Sequence, residues 1–497
     1  MFVRKKRNKS GTISVQIIQK INRSNKVIKT IGSSSDGDEV EKMYHQALYE
    51  MPRLYGSTLF DSPSNSDISN LCNDSVRVCG PDVVFSKIYR HIGYGSIREP
   101  LLQDLVISRI THPGSKLNLT KYLNETGKQD ISVYSIYRFL DKLNRRLKTT
   151  IEEITFKYTR SILGGTIGVV FYDMTTIYFE SSDPDDFRVT GFSKEGKHQN
   201  PQIMLGLLVG KDGYPIGYEL FEGNTFEGHT LIPVLKKFAT RFNIDKPIVV
   251  ADSGLISKSN IELLIKNHYS FIIGARIKNE SSTMKEKILA LTLADGEYTA
   301  IDKGDGLILH ISYSEKRAKK DHFNRERGLA KLEKRMASGK LSKANINNRG
   351  YNKFLNLEGE IKLTLDQNKI DMDKKWDGLK GYITNTDLNS YQVIDNYNNL
   401  WKIEKAFRIS KTDLQIRPIY HRLRPRIEAH ICISFMAYLI YKELERVLQT
   451  AECNISMNTA IKEINKMYEI ITEDNKSVRL KNNATQQQIY DLISLSF

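Results

Sequence analysis

The run from Gly165 to Glu180, GTIGVVFYDMTTIYFE, limits what this chain can fold into more than any other stretch. Its first part, IGVVFY, has no charged side chain and is rich in β-branched and aromatic residues, apolar enough for a strand covered on both faces of a sheet. Behind it QIMLGLLVG and PIGYELFEG flank Lys211-Asp212-Gly213, a strong hairpin signal. The pattern then alternates: the amphipathic helix HTLIPVLKKFATRF, the short buried strand KPIVVADSG, the helix SKSNIELLIKNH and the strand YSFIIGARI. Three strands followed by helix, strand, helix, strand predict an α/β fold, a mixed sheet flanked by helices whose first three strands are antiparallel.

The segments around this core read differently. Residues 1–38 hold no acid before Asp36, and TISVQIIQKI and NKVIKTIG alternate around Asn22-Arg23-Ser24-Asn25, which predicts a basic β-hairpin. Residues 39–163 are helical in period with basic faces, the usual form of a DNA-contacting module, and Ser62 to Ser75 reads as a loop. The α/β core occupies 164–278 and resumes over 386–447. Between them, 279–385 forms a β-rich insertion with one basic helix-like run, KRAKKDHFNRERGLAKLEKRMASGK, either a phosphate-tracking arm or a solvated face. Residues 448–497 read as a C-terminal helical region.

Lys and Arg outnumber Asp and Glu by 74 to 58, a net charge of +16, which favours a polyanionic partner, most simply nucleic acid. The four cysteines, Cys72, Cys79, Cys432 and Cys453, form no CxxC pair and are expected as free thiols. The most apolar helical stretch, Ile431 to Tyr441, falls short of the roughly 20 residues that cross a bilayer, so no membrane is expected and a cytoplasmic, nucleoid-associated protein is.

Two acids stand out against the strand pattern. Asp173 follows Val169-Val170-Phe171-Tyr172, where a carboxylate is costly unless it is paired or holds a metal. Asp252 ends the strand Ile248-Val249-Val250-Ala251, at the carboxyl edge where α/β sheets carry function. These are the first and fourth strands of the order and could lie side by side. A third acid, Glu404, sits in YNNLWKIEKAFRISK, where helical spacing puts Tyr397, Trp401, Glu404, Arg408 and Lys411 on one stripe. Three converging carboxylates suit Mg²⁺ or Mn²⁺, and two such ions would activate a water or 3′-hydroxyl and stabilise the leaving oxygen of a phosphate. The cations around Glu404, among them Lys405, Arg408, Lys411 and Arg417, would hold DNA phosphates. Trp376 is a candidate platform for an unstacked base.

Asp173 in YDMTT, Asp252 in VADSGL and Glu404 in YNNLWKIEKAFRISK resemble the DDE triad of bacterial insertion-sequence transposases. The subgroup has an RNase H-like core, a β-rich insertion before the glutamate and the signature Tyr-x2-Arg-x3-Glu-x6-Lys. Tyr397, Glu404 and Lys411 meet that signature, and Leu400 occupies the arginine position. GFSKEGKHQNPQIMLGLLVGKDGYPIGYELFEGNT and RPIYH are also similar, so the resemblance runs from about residue 90 to 445. It implies metal-dependent cleavage at the ends of an insertion sequence and transfer of the 3′-hydroxyl into target DNA. It also implies terminal inverted repeats as partner, a homodimer in the synaptic complex, and Tyr397 and Lys411 on the terminal phosphates. The alternatives are a DNA-binding protein derived from a transposase that does not cut, and an RNase H-like nuclease without strand transfer.

Overall fold

The computed structural model describes residues 2–21, 24–51, 76–126, 131–180, 183–193, 196–242, 246–255, 257–338, 341, 347, 350–358, 362–471 and 477–497. The loop expected from Ser62 to Ser75, Cys72 and the hairpin-turn residues Asn22 and Arg23 lie outside the described residues. The chain divides into two compact units, residues 1–77 with 469–479 and residues 78–468 with 480–497.

In the first unit the expected hairpin is part of a three-stranded antiparallel sheet, Phe2–Arg7, Ile13–Ile21 and Ser24–Ser34. The extra strand, FVRKKR, is too rich in cations to signal a strand by composition, yet it pairs along its length with Ile13–Ile18. Helix Gly37–Glu50, capped by the Asp36 carboxylate on the Asp38 N–H at 2.9 Å, closes a small core of Val15, Ile17, Val40 and Ala47.

The second unit is organised around a mixed sheet of eight strands. These are β1 (Val169–Tyr178), β2 (Gln202–Val209), β3 (Pro215–Glu222), β4 (Ile248–Ala251), β5 (Phe271–Ala275), β6 (Tyr298–Gly304), β7 (Leu307–Tyr313) and β8 (Leu379–Thr384). Their order across the sheet is β3-β2-β1-β4-β5-β8-β7-β6. β1, β2 and β3 are antiparallel, while β4 and β5 run parallel to β1, as the helical crossovers Leu231–Phe242 and Lys258–Lys266 demand. The β2–β3 hairpin turns at Asp212 (φ 64°) and Gly213 (φ 79°), left-handed positions that aspartate and glycine tolerate better than other residues.

The insertion adds to the same sheet. β8 pairs antiparallel with β5, β7 with β8 and β6 with β7. Without them β5 would present an unpaired edge. The basic run forms helix Glu315–Ala337, and one side of it is packed, with Arg325, Gly328, Leu329 and Leu332 buried. Arg325 is clamped by the Asp377 carboxylate through two contacts of 2.6 Å. Trp376 is not a free stacking platform: it is buried in the core on one sheet face, with Ile273, Ile311 and Ile383.

Helix Arg424–Thr450 holds the other face. Every residue from Ala429 to Glu445 is buried, and an α-helix that is covered all round belongs inside a core. It packs against the helices Gly80–Ile92, Pro100–Thr111, Val133–Lys142 and Lys148–Ile162 of the basic helical region. No helix among the described residues is long and apolar enough to cross a membrane. Beyond it, helices Met457–Ile464 and Ala484–Ser496 are joined by short strands, Tyr468–Ile471 and Ser477–Arg479, where only helix was expected.

Candidate active site

Register and alternation place the two aspartates. The last residues paired between β1 and β4 are Tyr172 and Ala251, so Asp173 and Asp252 are the next residues on neighbouring parallel strands. Side chains alternate between faces along a strand. Val170, Tyr172 and Met174 pack on one face of β1 and Phe171 and Ile177 on the other, which assigns Asp173 to the second face. On β4, Val249 and Ala251 take the first face and Val250 the second, so Asp252 shares the face of Asp173. Helix Trp401–Arg408 packs against β1 and contributes Ile403, Ala406 and Phe407 to the core on that same face. Glu404 rises from it, exposed.

Asp173 is half-buried, with Oδ1 accepting the Met174 N–H at 2.7 Å. Asp252 is exposed, and its Oδ1 accepts the Ser253 N–H at 2.7 Å and the Tyr397 hydroxyl at 3.0 Å. Burial first, and then the Asp252 charge, push the Tyr397 hydroxyl far above its ordinary range, so it stays a donor. Its ring fits because β5 has glycine at 274. A Cβ there would stand 2.4 Å from the Tyr397 hydroxyl oxygen. Gly274→Ala is therefore expected to drive Tyr397 off Asp252 and to cost about 1–3 kcal/mol of stability. Thermal melting checks the stability cost, and a variant that melts with the wild type would refute the tight fit.

The helical stripe expected across Tyr397, Trp401 and Glu404 is interrupted. Helix Ser390–Asn398 ends, Asn399 and Leu400 form a turn, and helix Trp401–Arg408 starts. Tyr397 consequently points inward while Trp401 is 53% exposed. Leu400 is buried in the main core, which accounts for an apolar residue at the signature's arginine position. Among the expected DNA-binding cations, Arg408 is exposed and Lys411 is half-buried in the turn Ile409–Asp413. Lys405 is held by the Glu445 carboxylate at 2.5 Å, and Arg417 is half-buried with its guanidinium 5.7 Å from the Tyr178 ring centre.

Two cations that spacing did not single out come from the insertion. The Lys380 ammonium on β8 lies 4.4 Å from the centre of the Tyr397 ring and 5.2 Å from that of Tyr382. Burial, then Arg317 nearby, pull Lys380 below the ordinary lysine range, while the Asp252 and Glu404 carboxylates oppose the shift. One ammonium thus feels both acids, which are far apart in sequence. Arg317, on helix Glu315–Ala337, also acts on Tyr397 and Tyr382. The only sequence signals were the place of Lys380 in the strand-like LKGYITN and that of Arg317 in the basic run.

The donors Asp173, Asp252 and Glu404 are all carboxylate oxygens, the set that hard divalent cations take. Among the described residues no three His, Cys, Asp or Glu side chains are gathered closely enough to hold a metal as they stand. An ion shared by all three would require these side chains to draw closer together than they stand.

Residues 164–440 match the family model described as "Transposase DDE domain". Among solved structures, the chain is similar to the piggyBac transposase synaptic complex with hairpin DNA, at 11% identity, TM-score 0.39, over 78% of this chain and 76% of that one. It is also similar to the Mos1 transposase paired-end complex with left transposon end, at 13% identity, TM-score 0.16, over 32% of this chain and 58% of that one. No curated protein sequence matches.

Proposed function

Because the chain belongs to the transposase DDE domain family, a class of DNA-cutting and DNA-joining enzymes that generally use divalent metals, we propose that Asp173, Asp252 and Glu404 are its catalytic carboxylates. The observation that carries this reading is the parallel register that brings Asp173 and Asp252 out side by side on the sheet face covered by the Glu404 helix. The bound cofactor is Mg²⁺ or Mn²⁺, as two ions, which would supply an activated water or 3′-hydroxyl and a stabilised leaving oxygen.

The chain's own residues divide the remaining work. Tyr397 orients Asp252 through its hydrogen bond. Lys380 and Arg317 put positive charge beside Asp252 and Glu404, where the phosphate bearing the scissile bond would sit. Arg408, Lys411 and Arg417 hold the DNA backbone, and Lys405 joins them when it leaves Glu445. The DNA partners are the element's terminal inverted repeats and a target duplex, the acting species is a homodimer within a synaptic complex, and the protein works on DNA in the nucleoid.

The test uses purified full-length protein, linear DNA carrying the element's ends, target DNA and Mg²⁺. Joined products are expected. Cut ends without joined products would favour the nuclease reading, and binding without cutting the DNA-binding reading. Chelation with EDTA is expected to stop cleavage while leaving DNA retention on a gel, because the phosphate-holding cations do not depend on metal.

A further inference from the structure

On the second unit, a cavity of about 420 Å³ is lined by Arg109, Lys116, Tyr137, Arg417, His421 and His430 among others. It is cationic and holds no carboxylate of its own. Arg109, at the end of helix Pro100–Thr111, is 4% exposed. Its two terminal nitrogens reach the Gln415 carbonyl and His430 Nδ1, each at 3.4 Å, and its Nε has no hydrogen-bond partner. Lys116, the first residue of helix Lys116–Glu125, is likewise 4% exposed and its Nζ has no hydrogen-bond partner.

Buried cations without a counter-charge are rare because the loss of hydration is not returned. The acid whose field reaches His421 is Asp141, and both its oxygens are taken by Arg426, at 3.0 and 2.9 Å. Burial holds Lys116 well below the ordinary lysine range, and burial with the neighbouring cations lowers His421 to about 3 and pushes His430 down. The positive end of helix Lys116–Glu125 adds to the same field. An entering anion would restore what burial costs each of these groups.

We propose that this cavity is a binding site for a phosphate group, carried either by a DNA strand end as a 5′-phosphate or by free inorganic phosphate. The volume admits a phosphorylated nucleotide as well as the bare anion. The position suits a strand end, because Ile419, two residues after Arg417, bridges to Phe179 just past β1, the strand that carries Asp173. The DNA source rests on the transposase reading, whereas the free-anion source does not.

The first measurement is calorimetric titration of the full-length protein with sodium phosphate against sodium chloride at equal ionic strength, without metal. Saturable phosphate binding is expected, weakened at least tenfold in Lys116→Met, which should itself melt higher than wild type without phosphate because a buried nitrogen without a hydrogen-bond partner is gone. Should Lys116→Met fail to fold, the wild-type titration still decides: no phosphate binding beyond chloride overturns the proposal, as does unchanged binding in a folded Lys116→Met. The second measurement compares duplexes ending in 5′-phosphate and 5′-hydroxyl. Tighter binding of the phosphorylated end, lost in Lys116→Met, identifies the DNA end as the source. Equal binding of the two ends, with saturable inorganic phosphate, identifies the free anion.

Discussion

Asp252→Asn is expected to lower cleavage and strand transfer by at least about a thousandfold while leaving the melting transition in place. The substitution keeps the size of the side chain and leaves an oxygen to accept the Ser253 N–H and the Tyr397 hydroxyl. What it removes is the negative charge, which a divalent ion requires and an amide does not supply. Because Asp252 is exposed at the end of β4, no core contact is lost. Asp173→Asn and Glu404→Gln should behave alike, and the combined variant should be little worse than each single one, since residues acting on one ion are not additive. Cleavage of end-bearing linear DNA, scored beside a thermal melt, checks this. An Asp252→Asn protein that cuts at the wild-type rate would remove that residue from the site.

The largest stability effect is expected at a buried acid with no part in the chemistry. Glu443, in the middle of helix Arg424–Thr450, is fully buried. Its Oε1 accepts the Tyr214 hydroxyl at 2.7 Å, and its Oε2 accepts Arg446 Nη2 at 2.8 Å and Nε at 3.1 Å. Glu443→Ala strips both partners at once and should cost about 3–5 kcal/mol, as breaking a buried pair from one side does. The lower end is expected, because Arg446 is partly exposed and can turn to water. Glu443→Gln keeps an acceptor for Tyr214 and should cost less than half as much. Denaturant unfolding followed by helical signal measures both, and a Glu443→Ala protein within about 0.5 kcal/mol of wild type would refute the account.

Much of the fold was legible because its signals are local. The apolar run before Asp173, the hairpin at Lys211-Asp212-Gly213 and the alternation of helices and strands each lie within a few residues. The order of elements then restricts the sheet to few topologies, since parallel neighbours need helical crossovers. The interruption between β5 and Glu404 was visible for the same reason, but its destination was not. Nothing in LKGYITN says that β8 will pair with β5 and enlarge the central sheet. FVRKKR carries no strand signal of its own because a charged edge strand has the composition of a solvated tail.

The candidate site divides along the same line. Sequence alone determined which acids interrupt apolar strands, Asp173 and Asp252, and which acid lies among cations and aromatics, Glu404. Those are properties of a residue and its neighbours in the chain. Only the tertiary structure decided that Tyr397 turns inward to hydrogen-bond Asp252, 145 residues away, that Lys380 feels both Asp252 and Glu404, and that Leu400 belongs to the core. It also brought His430 to the cavity lined by Arg109 and Lys116, 321 residues along the chain from Arg109. Periodicity tells which face a side chain takes, but the partner it meets there depends on how separate elements pack, and packing is settled by the burial of all of them together.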